Sequence, residues 1–315
     1  MKIEEVIGEV STIGISGHVR PDGDCIGSCM GMYLYLKKIY PNARIDVFLE
    51  KIPEVYNYIP GVETIRDDFV TDVEQYDAFL ILDTGKDRTL GAEKYYDNAK
   101  KRINIDHHKS NPGIGDWKYI YPMASSACEL AYELMDPSRI DKEIAMTLYT
   151  GMISDTGVFK YSNTSPKTLQ IASKLISYGF AFDELIDRVF FEKTYKQNLL
   201  LGRALLESEL LCEGHLIVSF LTIQMIEEYG ASHNDVEGIV SQLQLTKGVD
   251  CSVFIHQDGE NEYKISLRSN GKVDVSKVAQ QFGGGGHARA AGISMTGDGC
   301  AIKKELVDTI SVLLQ

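Results

Sequence analysis

The sequence has few basic residues for its length, and this limits its partners. Lysine and arginine number 32 against 45 aspartate and glutamate residues among 315, giving a formal net charge of -13. Proteins that grip long nucleic acids do so with a broad basic face that releases counterions, so we expect no long DNA or RNA partner. A small phosphorylated ligand stays open, because divalent cations reverse the sign of the potential in an acidic cleft.

Paired cysteines and long apolar runs are also missing. None of the six cysteines belongs to a Cys-x-x-Cys pair or a zinc-ligand array, so we expect reduced, mostly buried thiols. No apolar run approaches the ~18 residues that a membrane helix needs. The first segment, MKIEEVIGEVSTIGISG, has acidic residues and no continuous apolar core, unlike a secretory signal. A cytoplasmic protein without a membrane partner is expected.

The first half alternates short β-rich runs (TIGISG, IDVFL, AFLILD, RINID) with helical stretches, the first of them from about Gly27 to Ile39. This alternation predicts an α/β fold with a mostly parallel sheet flanked by helices. A chain of 315 residues exceeds the ~250 to 300 at which single cores stop growing, so two domains are expected. We place a catalytic domain at 1–190, a helical linker at 191–205 within an amphipathic helical stretch (182–208), and a smaller α/β domain at 206–315.

Polar side chains follow three of the predicted strands. His18 follows TIGISG, Asp83 closes LILD, and an Asp-His-His triplet begins at the end of RINID with Asp106. Ligands of open α/β sheets bind beyond the carboxyl ends of the strands, so these groups should meet at one edge. Helix capping remains an alternative for Asp83, and for adjacent histidines one buried and one exposed residue remains the alternative.

The segment from Gly17 to Asp24 concentrates metal-binding groups. It puts the imidazole of His18 and the carboxylates of Asp22 and Asp24 within seven residues, a donor set that suits Mn²⁺ or Mg²⁺. The alternative is a plain Asp-Gly turn followed by a helix cap at Asp24. Asp155, in SDTGVF, has a similar turn or capping alternative.

Taken together and in order, these segments resemble the DHH phosphoesterase family, named for its Asp-His-His triplet. Two elements of the second half are similar to the DHH-associated domain of that family, and the resemblance runs from residue 18 to 292. The motifs are His18-x-x-x-Asp22-x-Asp24, Leu82-Asp83-Thr84-Gly85, Asp106-His107-His108, Ser154-Asp155-Thr156-Gly157, Ser266-Leu267-Arg268-Ser269, and Gly283-Gly284-Gly285-Gly286-His287 with Ala290-Ala291-Gly292.

The resemblance implies a site for two divalent cations, Mn²⁺ in preference to Mg²⁺, that share one bridging carboxylate. It also implies that Asp106 orients a neighbouring histidine, and that His108 stays off the metals and contacts the phosphoryl group or assists the leaving oxygen. The ligands so implied are His18, Asp22 and Asp83 for one ion, and Asp24, Asp83, His107 and Asp155 for the other.

The second domain is expected to bind the anionic substrate. Glycines bring backbone N–H groups close to an anion, and an arginine forms a bidentate clamp on a terminal phosphate. Arg268 is preferred over Arg289 for this clamp. Lys160 stands where the family often has arginine, which puts a phosphate contact there in doubt. The substrate-binding set is Arg268, Gly284, Gly285, Gly286, His287 and Arg289.

The resemblance favours hydrolysis of short oligoribonucleotides, as in the nano-RNase branch, together with 3′-phosphoadenosine 5′-phosphate. A cyclic di-AMP or pApA phosphodiesterase is the alternative within the same chemistry. A non-catalytic nucleotide- or RNA-binding module is the alternative of another class, and the complete set of metal positions argues against it. The expected partner is a small nucleotide or short RNA, and a homodimer is left open.

Overall fold

This computed structural model describes residues 1–89 and 91–314, without the side chain of residue 87. The chain forms two compact units, Met1–Glu192 and a second one that begins at Lys193. Each unit has its own sheet and its own hydrophobic core. Over the described ranges, no helix has both the length and the apolarity to cross a membrane.

A five-stranded parallel sheet forms the centre of the first unit, with strand order β2-β1-β3-β4-β5. The predicted mostly parallel sheet is therefore confirmed, and β5 is an additional edge strand that the sequence analysis missed. All five side chains of β3 are buried, as expected for a continuous apolar strand covered on both faces. The strands are β1 Thr12–Ser16, β2 Arg44–Phe48, β3 Ala78–Leu82, β4 Lys101–Asp106 and β5 Trp117–Ile120.

Helices cover this sheet. The α-helices of the described first unit are α1 Ile3–Ile7, α2 Gly23–Ile39, α3 Glu93–Asn98, α4 Ala127–Leu134, α5 Lys142–Thr156, α6 Pro166–Ile176 and α7 Phe182–Ile186. Helix α2 begins four residues earlier than predicted, because Asp22 caps it. Its Oδ1 accepts the N–H groups of Asp24 and Cys25, each at 3.1 Å.

The two faces of the sheet carry different cores. Leu80 of β3 joins the large core that α2, α4 and α5 cover, whereas its neighbour Phe79 joins an aromatic cluster with Phe48 and Tyr76 on the other face. Helices α2 and α4 begin, and α5 ends, beside the carboxyl ends of the strands. That edge is where the candidate site lies.

The stretch 182–208 is not one continuous helix, contrary to the prediction. Helix α7 ends at Ile186, a π-helical turn follows over Asp187–Phe191, and helix α8 then spans Tyr195–Leu206. Thr194 starts the new helix through a capping box, whose T-x-x-Q pattern is visible in the sequence. The proposed linker limits, 191–205, stay a prediction.

A six-stranded mixed sheet forms the second unit, with order β10-β11-β9-β8-β7-β6 and one parallel pair, β7 with β8. This unit confirms the predicted second α/β fold. Leu200 and Ala204 of α8 are fully buried in one of its cores. Its strands are β6 Glu209–Leu211, β7 Leu216–Leu221, β8 Cys251–Gly259, β9 Glu262–Ser269, β10 Gly285–His287 and β11 Ala290–Thr296, and its other α-helices are α9 Ile223–Glu227, α10 Ile239–Gln244, α11 Val275–Gln281 and α12 Gly299–Leu314.

Candidate active site

The carboxyl edge of the first sheet gathers the six predicted metal ligands. His18 follows β1, Asp83 follows β3 directly, and His107 follows β4. Asp83 has a left-handed backbone with a φ of 59°. Aspartate and asparagine adopt that conformation more readily than most side chains, so the residue type suits the position.

One group of potential ligands surrounds His18. Its Nε2 lies 3.4 Å from Oδ2 of Asp83 and 3.7 Å from Oδ1 of Asp22. Burial alone would lower the pKa of this imidazole, but the two carboxylates outweigh burial and raise it. The nitrogen therefore sits where the carboxylates favour a positive charge.

The second group surrounds His107 and uses the other oxygen of the same aspartate. Nε2 of His107 lies 3.3 Å from Oδ1 of Asp83, 3.3 Å from Oδ2 of Asp155 and 3.7 Å from Oδ2 of Asp24. Asp155 comes from the last turn of α5, whereas Asp24 comes from the first turn of α2. Each oxygen of Asp83 thus faces a different imidazole.

The buried carboxylates of this cluster favour the binding of cations. Oδ1 of Asp83 is buried and accepts no hydrogen bond from any described residue. Burial raises the pKa of Asp155 to about 7, and burial together with the charge of Asp83 raises the pKa of Asp24. Buried charges are costly unless paired, so bound metal ions would relieve the repulsion between the carboxylates of Asp24, Asp83 and Asp155. Carboxylate oxygens with imidazole nitrogens fit Mn²⁺ or Mg²⁺.

A thiol also lies in the cluster. Sγ of Cys25 accepts the backbone N–H of His18 at 3.3 Å and is close enough to His18 and Asp83 to share a metal with them. Burial raises the pKa of this thiol well above its usual value. Mn²⁺ and Mg²⁺ prefer oxygen and nitrogen donors to thiolate, so the carboxylates and imidazoles suit these ions better than Cys25 does.

Asp24 caps a helix, but not the helix that contains it. Its carboxylate accepts the backbone N–H of Ala127 at 2.6 Å and of Cys128 at 2.9 Å, at the beginning of α4. Ser126 completes this helix start by accepting the N–H of Glu129. Each carboxylate oxygen keeps a further lone pair, so capping and metal binding are compatible at Asp24.

Asp106 orients His108 and not His107. Its Oδ1 accepts the N–H of the His108 ring at Nδ1 over 2.7 Å, and the buried carboxylate also accepts the amide of Asn111 at 2.6 Å. The hydrogen bond to Asp106 raises the pKa of His108. Because Nδ1 is engaged in this bond, Nε2 of the partly exposed His108 is available to a ligand.

Two residues of this region escaped the sequence analysis. Asn111 supports Asp106, as described above, and Arg88 places Nη2 3.2 Å from Nδ1 of His18. The same Nδ1 lies 2.9 Å from the carbonyl oxygen of Val19, which can only accept, whereas the guanidinium of Arg88 can only donate, so Nδ1 cannot hydrogen-bond to both at once. With the proton on Nδ1 the ring donates to Val19 and leaves Nε2 for a metal, and Arg88 then makes no hydrogen bond to the ring. Arg88 and His108 both line a cavity of about 330 Å³ beside the cluster. The basic Lys-Asp-Arg run after Asp83 is the only sequence signal for Arg88.

Comparison with known proteins identifies the relatives of this fold and site. Residues 12–152 match the DHH family, N-terminal domain, and residues 213–313 match the DHHA1 domain. The bifunctional oligoribonuclease and PAP phosphatase NrnA of Thermus thermophilus is 32% identical over 301 residues, 94% of this chain and 88% of that protein. The chain belongs to the DHH family. As a member of this phosphoesterase family, it is a hydrolase of phosphoester bonds that depends on divalent metal.

Two further relatives cover nearly the whole chain. NrnA of Bacillus subtilis is 29% identical over 304 residues, 94% of this chain and 93% of that protein. The crystal structure of an exopolyphosphatase-related protein from Bacteroides fragilis superposes with a TM-score of 0.86 at 27% identity, covering 99% of this chain and 96% of that one. Both units of the fold therefore recur in the Bacteroides fragilis structure.

In the DHHA1 unit of this DHH protein, Arg268 and His287 lie in one row across the sheet. Strand pairing sets His287 opposite Ala290, and Ala290 opposite Arg268. Directly opposed residues of antiparallel strands point to the same face of the sheet, so the side chains of Arg268 and His287 lie on one face. Their backbones are two strand spacings apart, which is about 10 Å. Arg289 lies outside this row, near Gly271.

The glycine run has a packing reason at two positions. Its last two glycines, Gly285 and Gly286, belong to the edge strand β10. A Cβ added to Gly284 would lie 2.3 Å from the carbonyl oxygen of Gly292, and one added to Gly286 would lie 2.4 Å from that of Ala290. A Cβ on Gly285 would meet nothing within 4 Å. Close strand approach therefore explains Gly284 and Gly286, whereas Gly285 is left for the predicted anion contact.

Proposed function

We propose that this chain hydrolyses short oligoribonucleotides and the 3′-phosphate of 3′-phosphoadenosine 5′-phosphate, using two divalent cations, Mn²⁺ in preference to Mg²⁺. The observation that supports two ions is the carboxylate of Asp83, whose oxygens lie 3.4 and 3.3 Å from the imidazoles of His18 and His107. The substrates are suggested by the NrnA relatives, which are named for both activities.

Each group of the proposed site has a separate task. Bound divalent cations supply Lewis-acid chemistry that activates water and neutralises charge on the phosphoryl oxygens. Asp83 joins the two groups of potential ligands, and Asp106 engages Nδ1 of His108 so that Nε2 stays available to a ligand. We propose that His108 donates a proton to the leaving ribose oxygen, since a positioned imidazole is the commonest general acid.

The substrate-binding task is proposed for the DHHA1 unit. Arg268 provides the clamp on a terminal phosphate, and His287 lies in the same row of the sheet. A Cβ on Gly285 would meet nothing within 4 Å, so the backbone at this position has room for an anion. The domain limits at 1–190 and 206–315, a cytoplasmic location and a homodimer stay predictions from the sequence.

The assay that tests this function compares substrates side by side. The Mn²⁺-loaded protein is given RNA of two to five nucleotides, 3′-phosphoadenosine 5′-phosphate, pApA, cyclic di-AMP and pyrophosphate. Comparable rates on the first three support the proposal. A rate on cyclic di-AMP that exceeds the others supports the alternative phosphodiesterase, and no hydrolysis of any of the five would leave only a binding module.

Metal removal is expected to lower thermal stability. The buried carboxylates repel one another without cations. An ion that binds only the folded state raises the free energy of unfolding by about 2.7 kcal/mol when its free concentration is a hundredfold above Kd. For a unit of this size we expect a rise in Tm of roughly 5–10 °C on adding Mn²⁺. Differential scanning fluorimetry with and without EDTA measures it, and an unchanged Tm would contradict a metal site among these residues.

Replacing Arg268 with alanine is expected to weaken substrate binding. Loss of a charge-assisted hydrogen bond to phosphate costs about 1.5–3 kcal/mol, so KM should rise roughly 10- to 100-fold while both metals stay bound. Arg289→Ala is the matched control, with a KM within about threefold of the wild type. Lost metal occupancy in Arg268→Ala, measured by isothermal titration, would place Arg268 in a different role.

A further inference from the structure

The loop after Asp155 has an unusual backbone. Beyond the end of α5, Gly157, Val158 and Phe159 have φ values of 55°, 56° and 64°. A left-handed conformation is rare for a β-branched or bulky residue, and here two follow one another. Such strained segments persist only where the surrounding structure fixes them, and they concentrate at functional sites.

Hydrogen bonds hold this left-handed turn in place. The N–H of Val158 donates to the carbonyl oxygen of Ile153 at 2.9 Å, and the N–H of Phe159 donates to Oγ1 of Thr156 at 3.0 Å. The chain then returns, and the N–H of Tyr161 donates to the carbonyl oxygen of Thr156 at 2.9 Å. The turn thereby brings Tyr161 back over the residues that directly follow Asp155.

The ring of Tyr161 lies against the backbone of Gly157. A Cβ added to Gly157 would be 2.5, 2.7 and 2.8 Å from three carbons of this ring, so only glycine allows the contact. Tyr161 is nevertheless 56% exposed. Among the described residues its hydroxyl makes no hydrogen bond, so packing on Gly157 is what positions the ring and leaves much of it open to solvent.

The loop that contains Tyr161 is also connected to the backbone of Asp155. Nδ2 of Asn163 donates to the carbonyl oxygen of Asp155 at 3.1 Å and to that of Ser125 at 2.9 Å. The loop that precedes Ser125 carries two more exposed apolar side chains, Tyr121 and Met123. One amide therefore joins two loops with exposed apolar side chains, and one of these loops directly follows a proposed metal ligand.

We propose that Tyr161 is a stacking platform for a nucleobase of the substrate. This inference rests on the proposed function and adds to it the part of the nucleotide that the metals and Arg268 do not recognise. Aromatic side chains bind single-stranded nucleic acids by stacking on the π-face that every base has, which gives affinity without base preference. The strained turn that ends at Phe159 holds such a ring two residues further on, half-exposed and packed on Gly157, which is the second residue after Asp155.

The test compares nucleotides with and without a base. Tyr161→Leu should raise KM for 3′-phosphoadenosine 5′-phosphate and for a two-nucleotide RNA roughly 10- to 100-fold, whereas Tyr161→Phe keeps the ring and stays within about twofold of the wild type. Ribose 3′,5′-bisphosphate without a base should have the same KM with either variant. Phe191→Leu is the matched control, because Phe191 is a 65% exposed aromatic of the same unit outside this loop.

A spectroscopic measurement separates stacking from a structural role. The 2-aminopurine analogue of the bisphosphate should lose fluorescence on binding to the wild type and to Tyr161→Phe, but not on binding to Tyr161→Leu. Equal KM increases for the substrates with and without a base would overturn the inference, since Tyr161 would then position Asp155. An altered oligomeric state of Tyr161→Leu in sedimentation would overturn it as well, because the ring would be a contact between copies.

The same experiment keeps the two proposals apart. If wild-type protein hydrolyses neither nucleotide nor base-free bisphosphate, the proposed function fails, and the fluorescence of the bound analogue still reports on stacking. If the wild type hydrolyses both and no quenching occurs, the proposed function stands and the stacking platform is wrong.

Discussion

Replacing Asp83 with asparagine is expected to lower kcat/KM for a short RNA on the order of 10³-fold or more. Each oxygen of this carboxylate faces a different imidazole, His18 at 3.4 Å and His107 at 3.3 Å. Removing the shared charge therefore weakens both proposed ion sites at once. Steady-state kinetics in Mn²⁺, together with titration of Mn²⁺ binding, measures the loss.

Asparagine is a better test than alanine at this position. Asp83 has a φ of 59°, and asparagine tolerates the left-handed conformation, whereas alanine adds backbone strain. Asparagine also removes one negative charge from a buried cluster. We therefore expect the metal-free variant to unfold at a Tm equal to or above that of the metal-free wild type.

Asp77 provides a matched control beside the same strand. It precedes β3 at the opposite end from Asp83 and pairs with Lys100 at 2.8 Å. Asp77→Asn should cost some stability, because this carboxylate accepts the N–H groups of Ser11 and Thr12, but it should keep full activity. Near-normal turnover in Asp83→Asn, or an equal loss of activity in Asp83→Asn and Asp77→Asn, would contradict the proposed bridging role of Asp83.

The parts of the site that follow from local sequence could be predicted. Buried parallel strands are continuous apolar runs, so the ends of β1, β3 and β4 could be located, and with them His18, Asp83 and the Asp106 triplet. A helix cap in the first motif was also a local expectation, but it falls on Asp22 and not on Asp24. The carboxylate of Asp22 accepts the amides two and three residues ahead, and metal binding and capping are not exclusive there.

Contacts between distant segments could not be predicted in the same way. Asp24 caps a helix that begins at Ala127, and no spacing rule connects positions so far apart. Arg88 approaches His18 only because the loop after β3 folds back over the first strand's end. The edge strand β10 was not predicted, because its pairing with β11 depends on tertiary packing and not on the propensity of glycine.

The left-handed turn after α5 shows the same limit. Gly157 could be predicted to end α5, because glycine is common directly after the last residue of a helix. Nothing in the residue types Val158 and Phe159 favours a positive φ, since β-branched and aromatic side chains avoid it. Only the structure shows that these residues continue the turn and bring Tyr161 onto Gly157.

Replacing His108 with alanine is expected to lower kcat for a short RNA roughly 10²- to 10³-fold while both metals stay bound. Asp106 holds Nδ1 of this ring at 2.7 Å, which leaves Nε2 available for the proposed protonation of the leaving oxygen. His215→Ala is the matched control, because Asp250 holds Nδ1 of His215 at the same 2.7 Å and the ring is similarly exposed. That variant should keep full activity.

Substrates with different leaving groups distinguish proton donation by His108 from a contact with the phosphoryl group. A ribose oxygen needs a proton to depart, but p-nitrophenolate leaves without one. The loss in His108→Ala should therefore shrink to less than about tenfold on a nucleoside p-nitrophenyl phosphate. An equal loss on both substrates would mean that His108 contacts the phosphoryl group instead, and reduced Mn²⁺ affinity would mean that it belongs to the metal ligands.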